Sequence, residues 1–463
     1  MLPGHSPAIR TQIGTQFTQD MPQGSYYARL GNYVYGIMDL QPKYKGLQKT
    51  APTDLTVGMY VAQLDREWEE TNFPLQGFYI RNQKMIERVE SECAYVYVDP
   101  RRYDSKLGEV KLRTVVDNGN IRSHAKEKLS ARERLAPKKP THYEDSISIN
   151  DEMPAATTSL EEAEQILSTC VVKLQSNGGF DIKAIENAIT PLVRSVMRNQ
   201  TALAALTRMR RMDDYLFSHA ISCSVWGAVL ARELGLPPDD VNQVAFTCSL
   251  LDIGKTTLPI DLLNSPDKPD DAQWALLKDH VKRGVDLLTE NGLTDTRVIS
   301  AIETHHERHD GSGYPAGLAG NKIPAFGRIA GIVDSYDAMI SERPYAKARS
   351  SYQAIQEIQT NAGVLYQSEL VDYFIKAIGV FPVGSIVELN TGEVGVVVSQ
   401  TMDSRLKPKV MLILEPDKQP RPHLVIIDLS NQQAASHEPL QWWITKELAA
   451  SAYGIDPQKY FLD

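Results

Sequence analysis

A helical pattern of apolar residues fills the middle of the chain and constrains its fold more than any other feature. The pattern begins at Ser159, where Ser-Leu-Glu-Glu is typical of an N-terminal capping box, and Leu160 and Leu167 then follow helical spacing. Similar spacing continues to about residue 378, between Gly-Gly, Pro-Pro and Pro-Asp turns. We therefore predict a large, mainly α-helical domain over residues 156–380.

Two regions with strand character flank this domain. Residues 51–104 mix short β-branched and aromatic runs with Gly and Pro, and they contain an alternating stretch at 93–99. Residues 381–463 carry a hairpin signal around Thr391-Gly392 and two further strand-like runs. A chain of 463 residues also exceeds one ordinary hydrophobic core. The predicted fold is multidomain, with the helical domain between a small N-terminal domain with β content and a small β-rich C-terminal extension.

The other two segments are polar. Residues 1–50 are rich in Gln and Gly without clear periodicity, and we expect a poorly ordered lead-in. Residues 105–155 run basic and then acidic. A solvated, charged linker is the preferred interpretation, and a basic patch for nucleic acid or membrane is the alternative.

Composition argues against several classes of protein. The net charge of −9 argues against general nucleic-acid binding, and no apolar run approaches the length of a membrane span. The N-terminus shows no basic-then-apolar signal pattern. The four cysteines form no Cys-x-x-Cys pair, which favours free thiols in a reducing compartment. We therefore expect a cytoplasmic protein.

Several histidines and two aspartates of the helical domain are candidate metal ligands. Asp252 and Asp334 each lie inside an apolar run, where a carboxylate is costly to bury unless a cation or a metal pairs with it. His305 and His306 are adjacent, which is less common than a single helical histidine. Carboxylates and imidazoles together suit iron, manganese, nickel or zinc. The alternative is a buried polar network that holds no metal.

The stretch HHERHDGSGYPAGLAG, residues 305–320, resembles the signature of HD-GYP domains, a branch of the HD phosphohydrolases. Further matching pieces are DIGKTTLP, HVKRG, RIAGIVDSYDAM and SERPYA. The resemblance covers about residues 205–375. Residues 55–99 and 384–398 also resemble small domains that accompany HD-GYP domains.

This resemblance implies a cyclic di-GMP phosphodiesterase that forms pGpG or GMP by means of a metal-activated water. Two divalent metal sites are expected, with iron or manganese the favoured metals. The implied catalytic residues are Asp252 and Lys255. The implied ligands are His219, Asp252, His280, His305, His306 and Asp334, with Asp252 bridging the two metals. The implied substrate-binding residues are Lys255, Gly313, Tyr314, Pro315 and Arg343.

One departure from the family pattern bears directly on the metals. Leu251 stands where the family has the histidine of its His-Asp pair, and leucine cannot bind a metal. The metal held by His219, Asp252 and Asp334 would lose one ligand, so that site is expected to be weak or empty. A third metal is not expected either, because Tyr215 stands where trinuclear members have a carboxylate.

Three functions therefore compete. The first is a phosphodiesterase with a weakened metal site. The second is an inactive module that binds cyclic di-GMP or docks on diguanylate cyclases, the GGDEF-domain proteins. The third is another HD-type nucleotide phosphohydrolase, which the intact Gly-Tyr-Pro stretch disfavours. Two bound metals per chain would favour catalysis, and one or none would favour the binding module.

Overall fold

The structure is a computed structural model, and it describes most of the chain after residue 46. The described residues are 47–66, 68, 71, 73, 77–103, 139–175, 179–209, 215–342, 348–400, 407–430, 442–450 and 452–461. Almost all of the expected lead-in and the basic part of the expected linker lie outside these residues. Arg343, expected to bind substrate, also lies outside them.

The N-terminal region forms a four-stranded antiparallel sheet with the strand order β1-β4-β2-β3. Its elements are β1 (Gln48–Thr50), β2 (Met59–Leu64), β3 (Phe78–Tyr79), α1 (Gln83–Glu92) and β4 (Val96–Tyr103). Strand β4 confirms the alternating stretch. Strand β1 corrects the expected lead-in, because pairing of Gln48 with Val98 draws residues 48–50 into the sheet.

Twelve helices follow among the described residues. They are α2 (Ile149–Gln175), α3 (Ile182–Arg198), α4 (Gln200–Met209), α5 (Tyr215–Glu233), α6 (Pro238–Ser249), α7 (Ile260–Leu263), α8 (Asp271–Lys278), α9 (His280–Glu290), α10 (Thr296–Thr304), α11 (Ala325–Ile340), α12 (Ser351–Thr360) and α13 (Ser368–Ile378). The expected mainly helical domain is thereby confirmed. Helix α5 packs against both α6 and α11.

The start of α2 differs from the prediction. Ser159 lies inside the helix, so the expected capping box at that residue is wrong. The N-terminal cap is Ser148, whose Oγ accepts a hydrogen bond from the backbone N of Asp151 at 3.2 Å. The segment before it is also not a free linker, because Thr141 N donates to Gly235 O and Tyr143 donates to Leu236 O.

The C-terminal region forms a five-stranded antiparallel sheet with the order β8-β7-β6-β5-β9. Its strands are β5 (Ile386–Leu389), β6 (Val394–Ser399), β7 (Lys409–Leu414), β8 (Pro420–Asp428) and β9 (Ile444–Glu447). The predicted hairpin joins β5 to β6, and Gly392 adopts φ 93° in its turn.

A buried ion pair attaches this sheet to the helical domain. Glu447 of β9 pairs with Arg208 of α4 and accepts a hydrogen bond from the backbone N of Tyr352 at 2.8 Å. Within the described part of the chain, no helix combines the length and apolarity that a membrane crossing requires.

Candidate metal centre

Five segments of the helical domain bring the six expected ligands into one buried cluster. His219 comes from α5, His280 is the first residue of α9, and Asp334 comes from α11. Asp252 precedes the short 3-10 turn Ile253–Thr257, and the remaining two histidines follow α10. All six are at most 4% exposed: His219, Asp252, His280, His305, His306 and Asp334.

A glycine allows the turn after α6 to meet α9 closely. A Cβ built on Gly254 would lie 2.0 Å from the backbone oxygen of His280, so no other residue fits without a backbone shift. This contact places Asp252 Oδ1 3.2 Å from His280 Nε2. The close approach of this turn to α9 therefore explains why a glycine stands at position 254, two residues after Asp252.

Four ligand-type residues form the first group, which we call the four-ligand set. They are Asp252, His280, His305 and His306, and their ligand atoms all lie within 4.8 Å of one another. The Nε2 atoms of His280 and His306 are 3.2 Å apart. Such a group could hold a metal ion.

Hydrogen bonds outside the four-ligand set fix how two of its imidazoles face inward. His280 Nδ1 donates to Leu277 O and His305 Nδ1 donates to Ile302 O, each at 2.6 Å. Because a carbonyl only accepts, each Nδ1 carries a proton, and Nε2 of each ring is the atom that faces the cluster. The described residues offer His305 Nε2 and Asp252 Oδ1 no hydrogen-bond donor. Buried lone pairs without donors fit a metal cation.

The charge states of two histidines agree with this arrangement. Burial lowers the pKa of His305 to about 4. Burial, and then the neighbouring His305 and His280, lower the pKa of His306 well below its usual value. Both rings are therefore neutral at pH 7, which is the form that binds metals.

Three residues form the second group, which we call the three-ligand set: His219, Asp252 and Asp334. His219 Nε2 lies 3.1 Å from Asp334 Oδ1 and 3.4 Å from Asp252 Oδ2. Burial lowers the pKa of His219, but hydrogen bonds to Asp334 and Asp337 outweigh it and raise that pKa to about 9. Leu251 is 1% exposed and offers this set no ligand atom.

Asp337 is a site residue that the sequence reasoning missed. Its Oδ2 accepts a hydrogen bond from His219 Nδ1 at 2.7 Å, and its Oδ1 accepts one from Trp226 Nε1 at 3.0 Å. The carboxylate thus fixes the ring so that Nε2 faces the three-ligand set. Its spacing was the available signal, since residues three apart on a helix such as Asp334 and Asp337 share a face.

Lys255 lies at the cluster, as expected. Its Nζ is 2.5 Å from Asp252 Oδ2, and its side chain is buried. Burial raises the pKa of Asp252, but Lys255, followed by His280 and His219, outweighs that effect and holds the pKa well below its usual value. Asp252 is therefore a carboxylate at neutral pH.

The Gly-Tyr-Pro segment packs directly on the four-ligand set. The ring of Tyr314 stacks on His306 with centroids 4.6 Å apart. A Cβ on Gly313 would lie 2.4 Å from the backbone N of Arg308, which explains that glycine, whereas Pro315 is exposed.

Two further residues that the sequence reasoning did not identify support this loop. Glu307 accepts hydrogen bonds from the backbone N atoms of Ala316 at 2.7 Å and Leu318 at 2.9 Å. Trp274 meets the Tyr314 ring edge-on at 6.5 Å. Glu307 thus fixes the backbone that follows Pro315, and Trp274 packs against the ring that stacks on His306.

Three family models match the chain. Residues 191–370 match a family described as an HD domain. Residues 47–185 match a domain of unknown function, and residues 386–435 match a KOW domain associated with the HD domain.

Three curated relatives carry enzyme names. A cyclic di-GMP phosphodiesterase of Pseudomonas aeruginosa is 28% identical over 409 residues, which are 87% of this chain and 94% of that protein. A cyclic di-GMP phosphodiesterase of Thermotoga maritima is 36% identical over 148 residues, or 32% of this chain and 40% of that protein. A 3'3'-cGAMP-specific phosphodiesterase of Vibrio cholerae is 32% identical over 160 residues, or 34% of this chain and 31% of that protein.

Proposed function

The chain is a member of the HD-GYP family, and we propose that it is a metal-dependent phosphodiesterase that hydrolyses cyclic di-GMP to pGpG or GMP. The names of the relatives from Pseudomonas aeruginosa and Thermotoga maritima support this substrate. A cytoplasmic location remains a prediction that accompanies it.

The four-ligand set is the observation that carries the proposal. His305 Nε2 and Asp252 Oδ1 are buried and receive no hydrogen bond from the described residues, and both belong to the four-ligand set. Burial of unsatisfied polar atoms is costly, so an arrangement of this kind is most stable around a cation. A purely structural polar network would instead pair donors with acceptors.

We assign one divalent cation to the four-ligand set and a second, more weakly held one to the three-ligand set, with iron or manganese in each. Asp252 belongs to both groups and would bridge them. When bound, such a metal pair supplies Lewis acidity toward water and toward the phosphodiester oxygens.

The chain's own residues would position and neutralise the substrate. The Lys255 ammonium lies beside the bridging carboxylate and would offset charge on a phosphate oxygen that approaches it. Arg343 is proposed for the same role. Tyr314 fixes the plane of His306 by stacking, and Gly313 and Pro315 border the path by which substrate would arrive.

Leu251 favours a second candidate function. With one ligand missing from the three-ligand set, the domain would bind cyclic di-GMP or dock on GGDEF-domain proteins through the Gly-Tyr-Pro loop without hydrolysis. The two functions predict different metal contents. Two metals per chain support catalysis, and one or none supports the binding module.

Purified protein loaded with Mn²⁺ or, without oxygen, Fe²⁺ provides the test. Chromatography should show loss of cyclic di-GMP and formation of pGpG or GMP, with 3'3'-cGAMP as a second substrate because of the Vibrio cholerae relative. His306→Ala should abolish turnover and lower the metal content. His142→Ala is the matched control, since that side chain is 85% exposed and belongs to none of the metal-ligand groups among the described residues.

Binding of cyclic di-GMP without turnover, at one metal or none per chain, would favour the binding module. Faster turnover of 3'3'-cGAMP would correct the substrate and leave the reaction class intact. Turnover that survives His306→Ala would refute the assignment of the ligands.

A further inference from the structure

A lysine lies beside the Gly-Tyr-Pro loop, next to the proposed metal centre. Lys278 is the last residue of α8, and its Nζ lies 5.9 Å from the ring centroid of Tyr314. That ring stacks on His306, which belongs to the four-ligand set. Trp274, one turn earlier on α8, contacts the same ring edge-on. Helix α8 thus presents one aromatic and one cationic side chain to the tyrosine that packs on a proposed metal ligand.

Hydrogen bonds fix both ends of α8, and with them the position of Lys278. At the N-terminus, the side chain of Asp270 accepts a hydrogen bond from the backbone N of Gln273 at 2.8 Å, and the Gln273 side chain accepts one in return. At the C-terminus, Leu277 O accepts the hydrogen bond from His280 Nδ1. Lys278 therefore lies between a capped helix and a proposed metal ligand.

The ammonium group of Lys278 differs from its cationic neighbours in having no acidic partner in the described part of the chain. Arg283 pairs with Asp279 at 2.6 Å, and Lys255 pairs with Asp252 at 2.5 Å. No acidic side chain among the described residues pairs with Lys278. Lys278 is also half-buried, and partial removal from water strengthens the attraction of its ammonium group for an anion.

A cyclic dinucleotide brings two anions to the site. Each of its phosphodiesters carries one negative charge, and only one of them can be attacked at the metal centre at a time. Because both belong to one ring, the uncleaved phosphodiester must lie beside the cluster while the other is bound there. We propose that Lys278 binds this uncleaved phosphate through a charge-assisted hydrogen bond. The inference rests on the proposed function and adds a substrate-binding residue to it.

Kinetics of the Mn²⁺-loaded full chain with two substrates test the proposal. Cyclic di-GMP has a second phosphate, whereas bis(p-nitrophenyl) phosphate is a diester with a single phosphate. Lys278→Gln should raise KM for cyclic di-GMP by about 10-fold, which is typical for loss of a hydrogen bond to a charged group, and should change kcat little. KM for bis(p-nitrophenyl) phosphate should rise much less. If the wild type binds cyclic di-GMP without turnover, the dissociation constant from equilibrium dialysis replaces KM.

Two further variants serve as controls. Lys278→Arg keeps the positive charge and should keep most of the affinity for cyclic di-GMP. Lys282→Gln removes an exposed lysine of α9 that has no contact with Tyr314 among the described residues, and it should leave KM unchanged.

Three outcomes would overturn the proposal. The first is an unchanged KM for cyclic di-GMP in Lys278→Gln, and the second is an equal rise of KM for both substrates. The third is loss of bound metal in Lys278→Gln, which would show that the lysine only supports the fold around His280. An affinity for cyclic di-GMP that depends on Lys278 without any hydrolysis would support the inference and refute the proposed function alone. Neither binding nor turnover of cyclic di-GMP by the wild type would refute both.

Discussion

Restoring the missing histidine by Leu251→His is the most informative perturbation of this chain. Leu251 is 1% exposed, so the variant replaces a buried isobutyl group with a buried imidazole. Without metal the new ring lacks a partner, and we expect a loss of about 1–3 kcal/mol in the free energy of unfolding. With metal, the ring completes the three-ligand set.

The gain with metal follows from typical effects around metal sites. A restored ligand should tighten metal binding by about 10–100-fold, which is about 1.4–2.7 kcal/mol. For a domain of this size, each kcal/mol moves the melting temperature by about 2–4 °C. The metal-induced rise in melting temperature should therefore be about 3–10 °C larger in Leu251→His than in the wild type. Hydrolysis of cyclic di-GMP should increase with occupancy.

Thermal unfolding with and without Mn²⁺, together with elemental analysis, measures this difference. Leu192→His is a matched control because Leu192 is equally buried, at 1% exposed, and lies on α3, which supplies none of the six expected ligands. The control should lose stability and gain no response to metal. A folded Leu251→His protein with unchanged metal content and unchanged turnover would refute the reasoning and favour the binding module.

Three further predictions concern groups around the cluster and the domain junction. Asp337→Asn leaves one acceptor oxygen, whereas His219 and Trp226 each donate to one oxygen of the native carboxylate. His219 should then lose its orientation, and the metal affinity measured by Mn²⁺ titration should fall by about 10–100-fold, with the circular dichroism unchanged. The pKa of His305 lies at about 4 in the folded protein and at the ordinary value of 6.5 in the unfolded chain, so the metal-free protein should lose about 3 kcal/mol as pH falls from 6.5 to 4. Urea unfolding at pH 7 and pH 5 should show a smaller loss in His305→Asn. Glu447→Gln should lower stability by about 3–5 kcal/mol in calorimetry, because Arg208 keeps its charge without a buried carboxylate.

Periodicity predicted the elements well but could not rank two similar helix starts. Ser148-x-x-Asp151 and Ser159-x-x-Glu162 have the same pattern of a hydroxyl residue followed by an acid. The structure uses the first as a cap and includes the second inside α2. The choice depends on packing of residues 139–148 against the helical domain, which is a long-range contact and leaves no local signal.

The candidate site likewise contains some residues that the sequence could locate and others that depend on contacts the sequence does not show. Five of the six proposed ligands lie in stretches that match the family signature or its accompanying pieces, whereas His219 lies outside those stretches. Glu307 and Trp274 could not be located from the sequence. Glu307 acts through the backbone of a loop whose shape the sequence does not show, and Trp274 contacts Tyr314, which lies 40 residues further along the chain. Asp337 was accessible in principle, since its spacing from Asp334 places both carboxylates on one helix face.

The charge of the cluster explains why loss of the histidine at position 251 should weaken metal binding rather than abolish it. Two buried carboxylates, Asp252 and Asp334, lie at the three-ligand set. Despite burial, Lys255 holds the pKa of Asp252, and His219 the pKa of Asp334, below the usual value, so both are charged at neutral pH. Buried carboxylates of this kind attract a cation whether or not position 251 offers a ligand. A neutral histidine at position 251 would add a lone pair but no charge, so leucine there removes a ligand and leaves the attraction unchanged. The attraction persists at the buried carboxylates, and the loss is confined to coordination number, which is the quantity that Leu251→His restores.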